Sequence, residues 1–119
     1  LEQKSEQAIQ QEIRLRLSRG SVRLLRNNTG VLKDKTGRPV QFGLAKGSGD
    51  LIGWRTVTVT PEMVGQKVAQ FVSLEVKTPT GRVRPEQERW RQVVAEAGGV
   101  AAVVRSVEDA ERALGATDY

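Results

Sequence analysis

From Lys67 onward the hydrophobic period of the chain changes twice, and that succession limits its folds more than any other feature. Between Lys67 and Lys77 the apolar residues Val68, Phe71, Val72, Leu74 and Val76 alternate with polar ones, the mark of a strand. Thr78-Pro79-Thr80-Gly81 then reads as a turn. Pro85 stands at the favoured first position of a helix, with Glu86 and Glu88 at its positive end and Trp90, Val93, Val94 and Ala97 on one face. Gly98-Gly99 stops that helix, and the unbroken apolar run Val100 to Val104 reads as a buried strand. Ser106-Val107-Glu108-Asp109 resembles a capping box with Asp in the place of Glu or Gln, opening a last helix to about Leu114.

The N-terminal part is read the same way. Ser5 is the expected N-cap of a helix over 5–18, whose Ile9, Ile13 and Leu17 share a face and which Gly20 ends. A short strand is expected from Ser21 to Arg26, followed by turn chemistry at Asn27-Asn28-Thr29-Gly30. Residues 29–49 are rich in Gly and Lys and read as a long loop, of the kind that is functional or mobile in a small domain. Asp50 to Thr60, with Leu51, Ile52, Trp54, Val57 and Val59, reads as a strand antiparallel to 67–77. The order is α-β-β-β-α-β-α. The expected class is α/β, a mixed central sheet flanked by helices in one domain over 1–119.

Composition narrows the chemistry. The chain has no cysteine and no histidine, which removes disulfides, thiol nucleophiles, Cys or His metal sites and Ser-His-Asp catalysis. An enzyme of this composition must work with carboxylates, lysine, hydroxyls, the backbone or a bound metal. Aromatic residues make up 4%, too few for a platform on which single strands stack. No apolar run approaches the roughly 18 residues of a membrane span, and no secretory signal is visible, so a cytoplasmic protein is expected. The net charge of +5 is uneven. Residues 1–49 hold ten Lys/Arg against four Asp/Glu, and residues 50–119 hold nine against ten. The basic excess, including Arg14, Arg16, Arg19, Arg23, Arg26, Lys33, Lys35, Arg38 and Lys46, points to a polyanion such as nucleic acid.

Several polar residues stand where a core or a turn would be enough. Glu75 and Lys77 flank Val76 at the end of the most apolar strand, so both point to one face and Val76 to the other. A solvated ion pair is the plainer reading of the two. Asp50 opens the neighbouring strand after Gly47-Ser48-Gly49, where a turn acid is equally ordinary. If the two strands form a hairpin, Asp50 falls near the end carrying Lys77. A carboxylate pair there, with the Val76 carbonyl as a third oxygen, suits a hard divalent cation such as Mg²⁺. Glu6 lies on the stripe of Ile9 and Ile13, and Gln87 on that of Trp90 and Val94, so both helices present a polar residue on the inward side of the first turn. Lys46-Gly47-Ser48 is no phosphate-binding loop, because the residue order is wrong and no helix follows.

Taken in order, Glu6-x-x-Ile9, Gly49-Asp50-Leu51-Ile52, Glu75-Val76-Lys77, Gln87, and Gly98-Gly99-Val100 through Arg105-Ser106-Val107-Glu108-Asp109 resemble the VRR-NUC (virus-type replication-repair nuclease) family of the PD-(D/E)XK nuclease superfamily. The resemblance covers about Ser5 to Leu114. One position departs from it: Gly49 stands where the family usually has Pro before the Asp. The resemblance implies a restriction-endonuclease-like α-β-β-β-α-β core with a C-terminal helix, and metal-dependent hydrolysis of phosphodiester bonds. Free-standing members look like homodimeric, structure-selective DNA nucleases related to Holliday-junction resolvases, many of them from phages, with a role in DNA repair and a place in the bacterial host cytoplasm.

Carried onto this chain, the resemblance makes Asp50, Glu75, the Val76 carbonyl and Glu6 the ligands of Mg²⁺ or Mn²⁺. Lys77 orients the attacking water and binds phosphate, and Gln87 positions Lys77 or the scissile phosphate. Lys33, Lys35, Arg38, Lys46, Arg82 and Arg84 are the expected contacts to the DNA backbone. The rival expectations are a non-catalytic basic nucleic-acid-binding domain on a nuclease-like fold, and a protein-interaction subunit. Two clustered carboxylates speak against a pure binder, since without a cation between them they repel phosphate.

Overall fold

The computed structural model describes residues 3–115. The chain divides into two compact units, the first ending at Arg55 and the second starting at Thr56.

The first unit begins with α1 (Glu6–Leu17), capped as expected by Ser5, whose Oγ accepts a 3.1 Å bond from the Ala8 N–H. The helix ends earlier than Gly20: the Ser18 N–H reaches the Arg14 carbonyl, and Ser18 Oγ accepts the Leu24 N–H at 2.9 Å. That hydroxyl joins the helix to β1 (Val22–Arg26). Two further strands, β2 (Gly30–Lys33) and β3 (Pro39–Phe42), occupy the region expected to be a loop. They pair antiparallel, with Leu32 opposite Val40 and Gly30 opposite Phe42. Each strand is only four residues long, too short for its alternation to stand out in the sequence. β4 (Leu51–Arg55) pairs antiparallel with β1, setting Leu25 against Ile52 and Arg26 against Leu51.

The apolar stripe of α1 is not the face the helix uses within this unit. Gln10, Arg14 and Ser18 are half-buried, while Ile9, Ile13 and Leu17 are exposed. A polar recess of about 200 Å³ is lined by Gln7, Gln10, Gln11 and Arg14 of the helix with Arg26 and Leu51 of the strands. Long polar side chains cover the strand ends with their methylene stems and keep their heads in water. Within this unit Glu6 therefore lies with Ile9 and Ile13 on the stripe that the unit's own strands leave uncovered.

The second unit starts with an irregular stretch containing one 3-10 turn at Pro61–Met63. The strand expected over 50–60 stops at Arg55, and the one expected over 67–77 narrows to β5 (Val72–Val76). Within their own units, β4 pairs with β1 and β5 pairs with β6 (Val100–Val104). β5 and β6 run parallel, with Glu75 beside Val103 and Val76 beside Val104. Parallel neighbours require a crossover, and α2 (Pro85–Glu96) supplies it. Val94 of α2 and Val104 of β6, 1% and 4% exposed, form the fully buried centre among the described residues. Burying a valine contributes about 1.5 kcal/mol or more. Gly99 permits the tight entry into β6: a Cβ there would stand 2.9 Å from the Phe71 carbonyl oxygen and 2.8 Å from Val94 Cγ1. α3 (Val107–Leu114) closes the unit, its N-cap Ser106 accepting the Asp109 N–H at 3.0 Å as the capping pattern predicts. The class is α/β, with three α-helices and both antiparallel and parallel pairing among the described residues.

Candidate active site

In the second unit three of the predicted residues meet. β5 alternates its faces, so Ser73, Glu75 and the following Lys77 project to the side crossed by α2, and Val72, Leu74 and Val76 to the other. Gln87, in the first turn of α2, donates from Nε2 to Glu75 Oε1 at 2.6 Å. Its Oε1 accepts the Arg84 N–H at 3.0 Å, satisfying one of the donors that a helix N-terminus leaves open. That second bond decides the orientation of the amide: the oxygen must face the cap, so the NH₂ must face Glu75. Lys77 Nζ lies 3.5 Å from the same Glu75 oxygen, with its side chain only 15% exposed. The side chain of Glu75 is 41% exposed, so the carboxylate is held on one side and open on the other.

Beside this trio is a cavity of about 140 Å³ lined by residues that include Glu75, Gln87, Trp90, Arg91 and Ala102. Trp90 donates from its indole to Ser73 Oγ at 2.8 Å and meets Phe71 edge to face at 6.3 Å. These contacts lock the α2 face that carries Gln87 against β5. Arg91 is paired with Glu88 at 2.5 Å, and the hydrogen bond from Arg91 holds the Glu88 carboxyl below the usual range.

The stretch after Lys77 is anchored by a residue the sequence pattern did not single out for a role. Arg105, just past β6, donates from Nη1 to the carbonyls of Thr78 at 2.5 Å and Gly81 at 2.8 Å. It thereby fixes the turn that leads from Lys77 to Arg82 and Arg84. Arg84 caps α2 and lies 3.9 Å from Glu86. Both Arg82 and Arg84 are exposed.

In the first unit Asp50 stands immediately before β4, exposed, and its carbonyl accepts the Asn27 N–H at 2.9 Å. The Asn27 side chain does more than turn the chain. Its Nδ2 donates to Ser48 Oγ at 2.7 Å and to the Gly49 carbonyl at 2.9 Å, and its Oδ1 accepts the Leu44 N–H at 3.1 Å. One amide thus holds the whole approach to Asp50. Partners 17 to 22 residues away leave no trace in a local pattern, so the sequence showed only a turn residue. Glu6 is the first residue of α1 and is exposed. Lys33, Lys35 and Arg38 lie on or beside the β2–β3 hairpin, and Lys46 in the turn after it, all exposed. Among the described residues neither unit by itself gathers three carboxylates around one point.

In each unit the candidate donors are oxygens, Glu6 and Asp50 in the first and Glu75 and the Val76 carbonyl in the second, the ligand type of hard cations such as Mg²⁺ and Mn²⁺. Among the described residues no helix is long and apolar enough to cross a membrane. Comparison with curated proteins and with solved structures finds no match. The model of the VRR-NUC domain matches residues 2–108, a span that takes in Glu6, Asp50, the Glu75–Lys77–Gln87 trio and Arg105. By that match, over nearly its whole length, the chain belongs to the VRR-NUC family of nuclease domains.

Proposed function

We propose that residues 1–119 act as one metal-dependent, structure-selective DNA endonuclease, in which Asp50, Glu75, the Val76 carbonyl and Glu6 hold Mg²⁺ or Mn²⁺. The observation that carries this reading is the trio on β5 and α2: one carboxylate oxygen shared between the Gln87 amide and the Lys77 ammonium. A domain that only bound DNA would gain affinity by losing Glu75. An acid kept beside a sheltered lysine serves a reaction in which a cation and a phosphate oxygen come to the same place.

When bound, the metal makes hydroxide available near neutral pH and stabilises charge on the phosphate. Lys77 brings a fixed positive charge to the phosphate and orients the attacking water. Gln87 keeps the Glu75 carboxylate in one rotamer, so its free side stays turned outward. Asn27 keeps Asp50 at the mouth of β4. No cysteine or histidine is needed for any of these roles. Lys33, Lys35, Arg38, Lys46, Arg82 and Arg84 bind backbone phosphates, contacts that carry no sequence information and therefore suit recognition of shape. The substrate of this reading is branched DNA of the Holliday-junction kind, cut by a homodimer in the bacterial cytoplasm, as free-standing relatives in the resemblance suggest.

The test is a panel of four-way junction, flap, splayed-arm and linear duplex DNAs incubated with Mg²⁺, with the mass in solution measured alongside. The branched DNAs are cut and the linear duplex is spared. Binding to all four without cleavage, in Mg²⁺ and in Mn²⁺, identifies a non-catalytic DNA-binding domain and overturns the proposal.

A further inference from the structure

The β2–β3 hairpin is built unlike the rest of the first unit. Both strands show their side chains to solvent, with Val31, Leu32 and Val40 about half exposed or more. Cross-strand pairing puts Leu32, Val40 and Phe42 on one face and Val31, Lys33, Pro39 and Gln41 on the other. Among the described residues this ladder has only two strands. A bare two-stranded ribbon is marginal in water, yet its tip is tightly made. Asp34 Oδ1 accepts from the Thr36 N–H at 2.8 Å, the Thr36 hydroxyl at 2.6 Å and the Arg38 N–H at 3.0 Å. Gly37 turns the chain back with φ +85°, a conformation that favours glycine. The Thr36 hydroxyl and the Arg38 N–H hold the Asp34 carboxyl below its ordinary pKa. The only acid of the hairpin is thus occupied by the turn, and Lys33, Lys35 and Arg38 stand around it exposed.

We infer that this ribbon is an arm that lies in the major groove of a duplex, with its three cations on the phosphates that wall the groove. The inference rests on the DNA-nuclease reading and goes further by naming the double-helical arm as the element recognised. Charge complementarity selects a polyanion. Width selects the groove: two strands about 4.8 Å apart, with their side chains, match a major groove about 12 Å wide and not a minor groove about 6 Å wide. The apolar residues on both faces suit contact with thymine methyl groups, which the major groove alone displays. The hydrogen-bonded tip presets the backbone that carries Lys35 and Arg38, so little backbone freedom is lost on binding. The hairpin's C-terminal leg leads directly to Leu44, which Asn27 ties to the segment before Asp50, so the arm and Asp50 share one anchor.

The experiment is dimethyl sulfate footprinting of guanine N7, a major-groove atom, on linear and four-way-junction DNA in EDTA, with binding measured over a range of salt. The parent protein protects a contiguous run of guanines in a duplex arm. A Lys33→Ala/Lys35→Ala/Arg38→Ala variant, altered only at exposed positions, loses that protection, and its salt slope falls by about two to three. Binding by the parent without N7 protection, a variant with unchanged affinity and slope, or equally tight binding to the single strand overturns the inference. Protection in EDTA needs no hydrolysis. Protection without cleavage in Mg²⁺ therefore leaves the arm standing and sinks the nuclease reading, and cleavage without protection does the reverse.

Discussion

Gln87 shows how much one side chain can settle. Its oxygen closes the N-terminus of α2 and its nitrogen holds Glu75, and neither job can be exchanged for the other. Gln87→Glu keeps an acceptor for the Arg84 N–H but turns a second carboxylate toward Glu75. Like charges raise each other's pKa, so cleavage is expected to fall and its pH profile to move upward, with little change in the melting temperature. Gln87→Ala also loses the cap and costs about 1 kcal/mol of stability. A pH profile unchanged in Gln87→Glu would show that the amide is only a helix cap. Asn27 is the counterpart in the first unit. Asn27→Ala leaves the Leu44 N–H, the Ser48 hydroxyl and the Gly49 carbonyl without their partner, at a cost of about 1–3 kcal/mol. Asn27→Asp is not expected to rescue it, because a carboxylate cannot donate to the Gly49 carbonyl. Chemical denaturation and cleavage rates of the two variants check both statements.

The elements explain which expectations held. Where a signal is local it was legible: Ser5 and Ser106 cap their helices, Pro85 begins α2, and the apolar run 100–104 is a strand. Where the outcome depends on a partner it was not. The stripe of Ile9, Ile13 and Leu17 identified a helix correctly but not the face it turns to the strands of its own unit, since periodicity reports spacing and not contact. Alternation in 50–60 and 67–77 marked strand propensity well beyond the ladders that form. The β2–β3 hairpin was hidden because its turn is made by Asp34 side-chain bonds rather than by a common turn dipeptide. Of the site, Glu75, Lys77 and Gln87 were found by face arithmetic, while Asn27 and Arg105 act through carbonyls and amides distant in sequence. α3 gives a pH prediction. Asp109 accepts the Arg105 N–H at 2.9 Å and pairs with Arg112, and these hold its carboxyl below the ordinary value of 3.8, the Arg105 bond contributing most. A depressed folded pKa means the stabilisation is complete above that ordinary value and lost as pH falls through the folded one. Thermal melts are expected to show an Asp109→Asn difference that is constant near neutral pH and shrinks below about pH 4. A difference that grows on acidification would contradict the assignment.

At the scale of the whole molecule, charge and chemistry divide along the chain. The basic excess lies ahead of Asp50, and the remainder, with one more acid than base, holds Glu75, Lys77 and Gln87. The family match places the chain among nuclease domains, and with no histidine or cysteine in the chain the proposed site draws on carboxylates, a lysine and a bound cation. The most direct measurement is the rate of Mg²⁺-dependent cleavage of a four-way junction by the parent protein, Asp50→Ala and Lys77→Ala, with circular dichroism confirming that each variant is folded. The account predicts cleavage by the parent that stops with EDTA, and a loss of about a hundredfold or more in each variant. Cleavage at the parent rate by either folded variant would contradict it.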